Sequence, residues 1–167
     1  MSSPTVEIES AQAPPPPGWR AFSSPSWRFW VAESQARSAD HLVIVTAEPG
    51  CLDKVLAIVT EVVGKRGTAS LLAVRMVRSA AVLQRLQEMP HWVGRAVTLY
   101  LTDQREQKEM ARQLDEALAG QGLSGPPCLR GRPYGGQSGM IFLAGGHTRQ
   151  VSGPTDRLTA LLDGALL

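Results

Sequence analysis

The stretch Val93–Leu101 is the sequence feature that most constrains the fold. Seven of its nine residues are apolar or β-branched, which is typical of a buried strand. Arg95 stands near its start, directly after Gly94 and close to His91. A sheet would hold the backbone of Arg95 in place, while its guanidinium group could still point into a cleft. The pattern therefore predicts an anion site at the mouth of a strand.

Length and charge limit what the rest of the chain can do. With 167 residues, 43% of them hydrophobic, the chain has room for one domain and a tail. We expect residues 1–17 to be a disordered, proline-rich tail and residues 18–167 to form a single domain. The net charge of only +2 gives no general attraction to nucleic acid. Arginine makes up 14 of the 17 basic residues, and because arginine is a poor base, this bias favours anion binding over proton abstraction.

The sequence lacks the motifs of several functional classes. Cys51 and Cys128 stand far apart without a histidine-rich neighbourhood, so we expect no metal site and no cofactor. The glycine-rich loops of nucleotide-binding proteins and the serine elbow of hydrolases do not occur in the sequence. Neither a signal peptide nor an apolar run of membrane-spanning length is found, which predicts a cytoplasmic protein without membrane contact.

Five of the nine aromatic residues fall between Trp19 and Trp30, directly after four prolines at 14–17. The prolines favour an extended tether or, alternatively, a docking segment. The aromatic cluster either fastens an irregular N-terminal segment to the core or forms an exposed surface for a partner protein. In the second case Trp19, Trp27 and Trp30 are the candidate contacts.

Strand and helix patterns alternate through the remaining residues. Runs of β-branched and apolar residues predict strands at 41–47, 70–77, 93–101 and 140–144. Helical spacing predicts helices over 53–64, from a Ser79 cap to about 89, from an Asp103 cap to Gly120, and after Thr155 or Asp156. This order predicts an α+β fold, with a small, mainly antiparallel sheet packed against about three helices.

The candidate groups for chemistry are His41, His91, His147, Arg95, Arg130 and Arg132. The last two arginines lie in a loop rich in glycine and proline, which could close over a ligand. Together with Arg95 they would bind phosphate, because a guanidinium group matches phosphate oxygens in pairs. The alternatives remain open: each histidine suits a strand end or the surface equally well, and loop arginines are often only solvated.

Several motifs follow one another in the order of a known family. They are Gly18-Trp19, Val45-Thr46-Ala47-Glu48-Pro49, Lys65-Arg66-Gly67, Gly94 to Tyr100, Leu123-Ser124-Gly125-Pro126, and Arg132-Pro133-Tyr134-Gly135-Gly136. Over residues 18–146 they resemble the N-terminal phosphoserine/phosphothreonine lyase domain of class III and IV lanthipeptide synthetases. That domain is related to bacterial phosphothreonine lyase effectors. The resemblance implies a phosphothreonine-lyase-like fold that removes phosphate from a precursor peptide and leaves a dehydroamino acid.

The resemblance also implies a lysine as base, a histidine as acid, and cations that hold the phosphate. In this sequence the implied histidine position is Ile44, one lysine falls at about Leu71-Leu72, a second lysine becomes Arg95, and an arginine falls near Leu143. Arg132 matches a family arginine. Since arginine is a poor base and isoleucine cannot donate a proton, the sequence predicts a pseudo-lyase.

We therefore expect a non-catalytic subunit in the biosynthesis of a ribosomally made, modified peptide, as in class V lanthipeptide synthetases with separate components. Its expected partners are the precursor peptide and kinase-like and lyase-like subunits. The alternative is an active phosphoserine/phosphothreonine lyase, in which His41 or His91 is the acid and Arg95 and Arg132 bind phosphate. A third hypothesis is an α+β protein similar to secretion chaperones, without phosphate chemistry.

Overall fold

The structure is a computed structural model that describes residues 15–32, 41–66, 71–90 and 92–145. Seven strands form one antiparallel sheet in the order β1-β2-β4-β5-β3-β7-β6. The strands are β1 (Trp19–Ser23), β2 (Trp27–Ala32), β3 (His41–Thr46), β4 (Leu71–Val77), β5 (Arg95–Leu101), β6 (Arg132–Pro133) and β7 (Ile141–Gly145). The helices are α1 (Leu52–Arg66), α2 (Ala80–Leu86) and α3 (Gln104–Leu118), with a 3₁₀ turn at Pro49–Cys51. The predicted α+β fold is confirmed.

The three helices lie where the local sequence signals predict them. The apolar face of α1 consists of Leu52, Val55, Leu56, Val59 and Val63, which recur every three or four residues. Asp103 caps α3, because its Oδ1 accepts a hydrogen bond from the Glu106 N–H at 2.8 Å. Ser79 caps α2 in the same way, through the Val82 N–H at 3.2 Å. Helices α2 and α3 therefore begin directly after capping residues that the sequence predicts, Ser79 and Asp103.

The sheet has two different faces. Val43 and Val45 of β3 join the large core that also contains the apolar residues of α1 and α3. Ile44 points the other way, into a small separate cluster with Cys128 and Phe142. We call the face that carries Ile44 the site face, because the candidate functional groups lie on it.

Strands β1 and β2 form an antiparallel hairpin where the sequence predicts an irregular segment. Trp19, Trp27 and Trp30 are only 6%, 2% and 1% exposed. Large indole rings contribute most to packing when they are buried. Trp19 and Trp30 lie together on one face of the sheet, and Trp27 lies on the site face against Arg75. The structure thus corrects the prediction that these tryptophans form an exposed partner surface. The alternative, attachment of the N-terminal segment to the core, holds.

A β-bulge brings Arg95 opposite Thr46. Val45 pairs with Val97, but the next residue of β3, Thr46, pairs with Arg95, so Ala96 is an extra residue in β5. A bulge of this kind turns the strand locally and redirects its side chains. Arg95, the first residue of β5, therefore lies on the site face, opposite the last residue of β3.

The loop after α3 is held against this end of the sheet. The Glu48 N–H donates to the Ser124 carbonyl at 2.9 Å. Gly94 has a φ of 70°, which favours glycine, and a Cβ at this position would overlap the ring of Pro126. The close approach of Gly94 and Pro126 thus fixes the start of β5.

Some predictions lie outside the described residues. These are most of the proline-rich tail, His91, His147 and the last helix with its Thr155 or Asp156 cap. Within the described ranges, no helix is both long and apolar enough to cross a membrane.

Candidate functional site

Arg95 lies at the start of β5, as the strand pattern predicts. Its side chain is 8% exposed. The Arg95 N–H donates to the Trp92 carbonyl at 3.1 Å, and the guanidinium Cζ lies 5.1 Å from the centre of the Trp92 ring. The backbone turn and the indole ring therefore both fix the position of this cation.

Arg75, in the middle of β4, supplies a second buried cation. It is 3% exposed, and its Nη2 lies 3.5 Å from Thr98 Oγ1, at the long limit of a hydrogen bond. Its Cζ lies 4.7 Å from the ring centre of Trp27 and 4.6 Å from that of Trp92. We call Arg75 and Arg95 the arginine pair. Trp92 contacts both members.

No acidic side chain among the described residues is bonded to the arginine pair. Within the described part of the chain, neither guanidinium group forms an ion pair with a carboxylate. The Nε atoms of both are buried and have no hydrogen-bond partner there. Burial lowers the pKa of Arg75 below its ordinary value, Tyr100 opposes this shift, and the charge of Arg95 adds to it. Buried donors without partners are costly, so the pair is suited to an anion.

Arg75 is not among the site residues predicted from the sequence. The resemblance assigns a lysine to about Leu71-Leu72, but these leucines are 0% and 4% exposed at the start of β4. The cation of this strand that reaches the site is Arg75. A signal was present, because Arg75 is the single charge in an apolar run from Leu71 to Val77.

The position of the implied acid is apolar. Ile44 is fully buried and pairs with Thr98, which itself pairs with Arg75 in the next strand. Around Ile44 lie Cys128 and Phe142. A proton donor is therefore missing at the point where the resemblance requires one.

His41 does not lie beside the arginine pair. It pairs with Leu101 at one end of β3, whereas Thr46, opposite Arg95, ends the strand. Five residues of strand separate these positions by about 16 Å, at roughly 3.3 Å per residue. This corrects the proposal that His41 is the acid beside Arg95; His91, the other candidate, is not among the described residues.

The lysines are on the helices. The chain contains only Lys54, Lys65 and Lys108, and all three are exposed on α1 or α3. Lys54 donates to the Gln121 carbonyl at 3.1 Å, and Lys65 pairs with Glu61 at 3.0 Å. No lysine can therefore act as a base on the site face.

Arg130 and Arg132 lie elsewhere. Both are exposed, and Arg132 pairs with Leu143 between the edge strand β6 and β7. Strands β7 and β3 separate β6 from β5, a distance of about 14 Å at roughly 4.8 Å per strand. The structure does not join these arginines to Arg95, so the predicted three-arginine site is wrong in its composition.

Two other features bear on the chemistry. A cleft of about 860 Å³ runs along α3 between Arg66 and Tyr134, but it contains none of the predicted site residues. Among the described residues, no group of three or more histidine, cysteine or acidic side chains is placed to hold a metal ion. The arginine pair therefore remains the candidate site.

Solved structures with the same fold are bacterial effectors. SpvC of Salmonella is 11% identical, with a TM-score of 0.60 over 96% of this chain and 86% of SpvC. The phosphothreonine lyase OspF of Shigella flexneri is 12% identical, with a TM-score of 0.59 over 86% of this chain and 82% of OspF. The phosphothreonine lyase VirA of Chromobacterium violaceum is 11% identical, with a TM-score of 0.58 over 77% of this chain, which spans 65% of VirA. Such likeness shows a phosphothreonine-lyase-like fold.

Sequence comparison gives the family. No curated protein sequence matches this chain significantly. The family model described as the N-terminal domain of RamC, a lanthipeptide-related domain, matches residues 7–164. This match contains all the elements described above, and it agrees with the resemblance to lanthipeptide synthetases. The chain therefore belongs to the family of RamC N-terminal domains.

Proposed function

We propose that this chain is a non-catalytic, lyase-like subunit of a lanthipeptide-modifying synthetase, in which the arginine pair binds the phosphate of a phosphorylated precursor peptide. The family and the fold support this substrate class. The observation that carries the proposal is the burial of Arg75 and Arg95 together without a carboxylate partner among the described residues.

A phosphorylated side chain fits the charge of the pair. Phosphoserine and phosphothreonine carry close to two negative charges at neutral pH and three acceptor oxygens. Two guanidinium groups supply two positive charges and several in-plane N–H donors. Arg75 and Arg95 therefore match a phosphate monoester in both charge and hydrogen bonding.

Elimination needs groups that the described residues of the site face do not provide. A base must take the α-proton, and the electron pair left behind forms the Cα=Cβ double bond. The bond between Cβ and the phosphate oxygen breaks with its electrons on that oxygen, and an acid must protonate the leaving phosphate. Burial lowers the pKa of Arg75, but a guanidinium group holds its proton too tightly to serve as a base at neutral pH. With Ile44 at the acid position, both proton transfers lack a partner among the described residues, and each typically contributes ~10²–10⁴-fold to rate.

Calorimetric titration with a phosphoserine peptide tests the proposal. We expect binding of the phosphorylated peptide, no binding of its unphosphorylated form, and loss of binding in Arg75→Ala and Arg95→Ala. Arg112→Ala is the matched control, because Arg112 is exposed on α3 and pairs with Glu109 and Glu116. Mass spectrometry should recover the phosphopeptide unchanged. A wild-type protein that does not distinguish the two peptides would contradict the proposal.

An active lyase is the second candidate. It is favoured by the position of His91 in the sequence, directly before Trp92, which contacts both arginines. In that case the phosphopeptide should lose the mass of one phosphoric acid, and both His91→Ala and Arg95→Ala should abolish the loss. Elimination with this mutational pattern would replace the non-catalytic proposal.

The proposed partners require a separate test. A non-catalytic subunit acts through an assembly, so the chain should co-purify with a kinase-like or lyase-like subunit of the same synthetase. A lone monomer that binds neither these subunits nor precursor peptide would contradict this part of the proposal.

A further inference from the structure

We propose that Trp92, together with Trp27, is the positioning element that preforms the arginine pair for a phosphate dianion. This inference rests on the proposed function and identifies what shapes its binding site. Two like charges are buried against the same indole ring, that of Trp92, and the described residues provide no carboxylate to neutralise either.

The indole rings provide the compensation. The Cζ atoms of Arg75 and Arg95 lie 4.6 Å and 5.1 Å from the centre of the Trp92 ring, and Trp27 contacts Arg75 from 4.7 Å. The faces of aromatic rings carry negative partial charge and attract cations, most strongly in desolvated surroundings. Trp92 thus stabilises both cations at once.

When a ring face stabilises the positive charge of an arginine, the ring does not occupy the in-plane N–H donors of the guanidinium group. A carboxylate partner binds the in-plane N–H groups of arginine, which are the groups that bind phosphate. A ring face attracts the cation as a whole and does not accept these hydrogen bonds. The partnerless Nε atoms of Arg75 and Arg95 agree with this arrangement. The two tryptophans therefore stabilise the charges without occupying the hydrogen-bonding edges of the guanidinium groups.

The backbone N–H groups of Trp27 and Trp92 both donate hydrogen bonds that hold these residues in their turns. The Trp27 N–H donates to Ser24 Oγ at 3.1 Å in the turn between β1 and β2. The Trp92 N–H donates to the Met89 carbonyl at 2.8 Å, and the Trp92 carbonyl accepts from Arg95. Trp92 and Arg95 are therefore parts of one hydrogen-bonded turn, in which the centre of the ring lies 5.1 Å from the Arg95 Cζ.

The charge of the pair sets the expected ligand class. Two fixed cations favour a dianion over a monoanion, so a phosphoserine peptide should bind better than the same peptide with glutamate in place of phosphoserine. The planar guanidinium suits a ring face better than a lysine ammonium does. This geometry gives a physical reason for arginine at both positions.

The chain contains a matched control. Trp19 and Trp30 form a second tryptophan pair, with ring centres 6.5 Å apart, and neither ring has a described contact with an arginine. We would compare Trp92→Leu, Trp92→Phe and Trp19→Phe by titration with the phosphoserine peptide, at a temperature where each variant is folded. Trp92→Leu should weaken binding by about tenfold, Trp92→Phe by about threefold or less, and Trp19→Phe should have no effect.

A second measurement needs no ligand. In the NMR spectrum of the free protein, the Nε–H and side-chain protons of Arg75 and Arg95 should be shielded by the Trp92 ring. In Trp92→Leu those of Arg95 should move toward ordinary values, whereas those of Arg75 should move only in part, because the centre of the Trp27 ring still lies 4.7 Å from its Cζ. Shielding without phosphopeptide binding would overturn the proposed function and leave the positioning role intact. Unshielded arginines, or a folded Trp92→Leu variant that binds as tightly as the wild type, would overturn the positioning role itself.

Discussion

Arg75 is the residue at which stability and the proposed function oppose each other. A buried cation without a carboxylate destabilises a fold, and replacing buried charges by apolar groups of similar size is often neutral or stabilising. We expect Arg75→Met to leave the free energy of unfolding unchanged or raised by about 1 kcal/mol. Phosphopeptide binding should be lost. Urea unfolding and calorimetric titration measure the two effects.

The pH dependence of Arg75→Met gives a further check. The pKa of Arg75 is lower in the folded chain than in the unfolded chain, because burial disfavours the charge. A lowered basic pKa destabilises the fold at all pH values below the folded pKa, and the penalty is relieved as pH rises through it. The advantage of Arg75→Met should therefore persist at neutral pH and shrink only in alkali. A variant that is several kcal/mol less stable at neutral pH would contradict this account.

Ile44 tests whether restoring one group restores chemistry. In Ile44→His the imidazole would replace an apolar side chain beside Cys128 and Phe142, on the face that holds Arg75. Burying this polar ring should cost about 1–3 kcal/mol. Elimination should remain undetectable by mass spectrometry, because the site face still lacks a lysine base. Phosphate release by Ile44→His alone would show that a base exists which the described residues do not reveal.

At the scale of elements, local signals predict most of the fold. Helices α1, α2 and α3 and strands β3, β4, β5 and β7 lie within a few residues of the predicted ranges, since caps and apolar periodicity are properties of the local sequence. The β1–β2 hairpin was not predicted, because its aromatic residues suit an irregular segment equally well. Its assignment depends on pairing with β4, which a single sequence does not show.

The site was less predictable for the same reason. Arg95 could be singled out because a strand begins there. The meeting of Arg75 with Trp27 and Trp92, however, depends on the register of three segments that are distant in sequence, namely β2, β4 and the turn into β5. His41 and Arg132 were misplaced because their positions in the sequence say nothing about which end, or which edge, of the sheet they occupy.

Asp115 connects α3 to the loop before β7. Its carboxylate accepts hydrogen bonds from the Gln137 N–H at 2.9 Å, the Ser138 N–H at 2.9 Å and Ser138 Oγ at 2.6 Å. Burial raises the pKa of Asp115, but these hydrogen bonds outweigh it and hold the pKa below its ordinary value. Asp115→Asn should cost about 1–3 kcal/mol at neutral pH, measured by urea unfolding.

The lowered pKa of Asp115 also predicts how the stability difference between wild type and Asp115→Asn changes in acid. A depressed carboxyl pKa contributes stability above the unfolded value, near 3.9, and this contribution disappears as pH falls through the folded value. The difference between wild type and Asp115→Asn should therefore narrow below about pH 4. Glu88→Gln, which removes an exposed carboxylate, is the control and should change little. A difference that stays constant down to strong acid would show that the carboxylate charge is not what holds the loop.

For the whole molecule, the nearly balanced net charge means that anions are not attracted to the surface in general. The net charge is +2, and several surface cations are paired, as in Arg66 with Glu106 and Arg112 with Glu109 and Glu116. Such a surface produces no extended positive field, and charges farther apart than about 8 Å are screened at physiological salt. Any phosphate recognition should therefore come from the arginine pair and not from general attraction to polyanions.

Competition distinguishes these two sources of affinity. Inorganic phosphate should displace a labelled phosphoserine peptide from the protein, because it presents the same oxygens to Arg75 and Arg95. Duplex DNA at equal phosphate concentration should not displace it at physiological salt, since its phosphates carry one charge each and cannot enter a site as buried as this one. Fluorescence anisotropy measures both. Displacement by DNA that also persists in Arg75→Ala would place the affinity on the surface, outside the arginine pair.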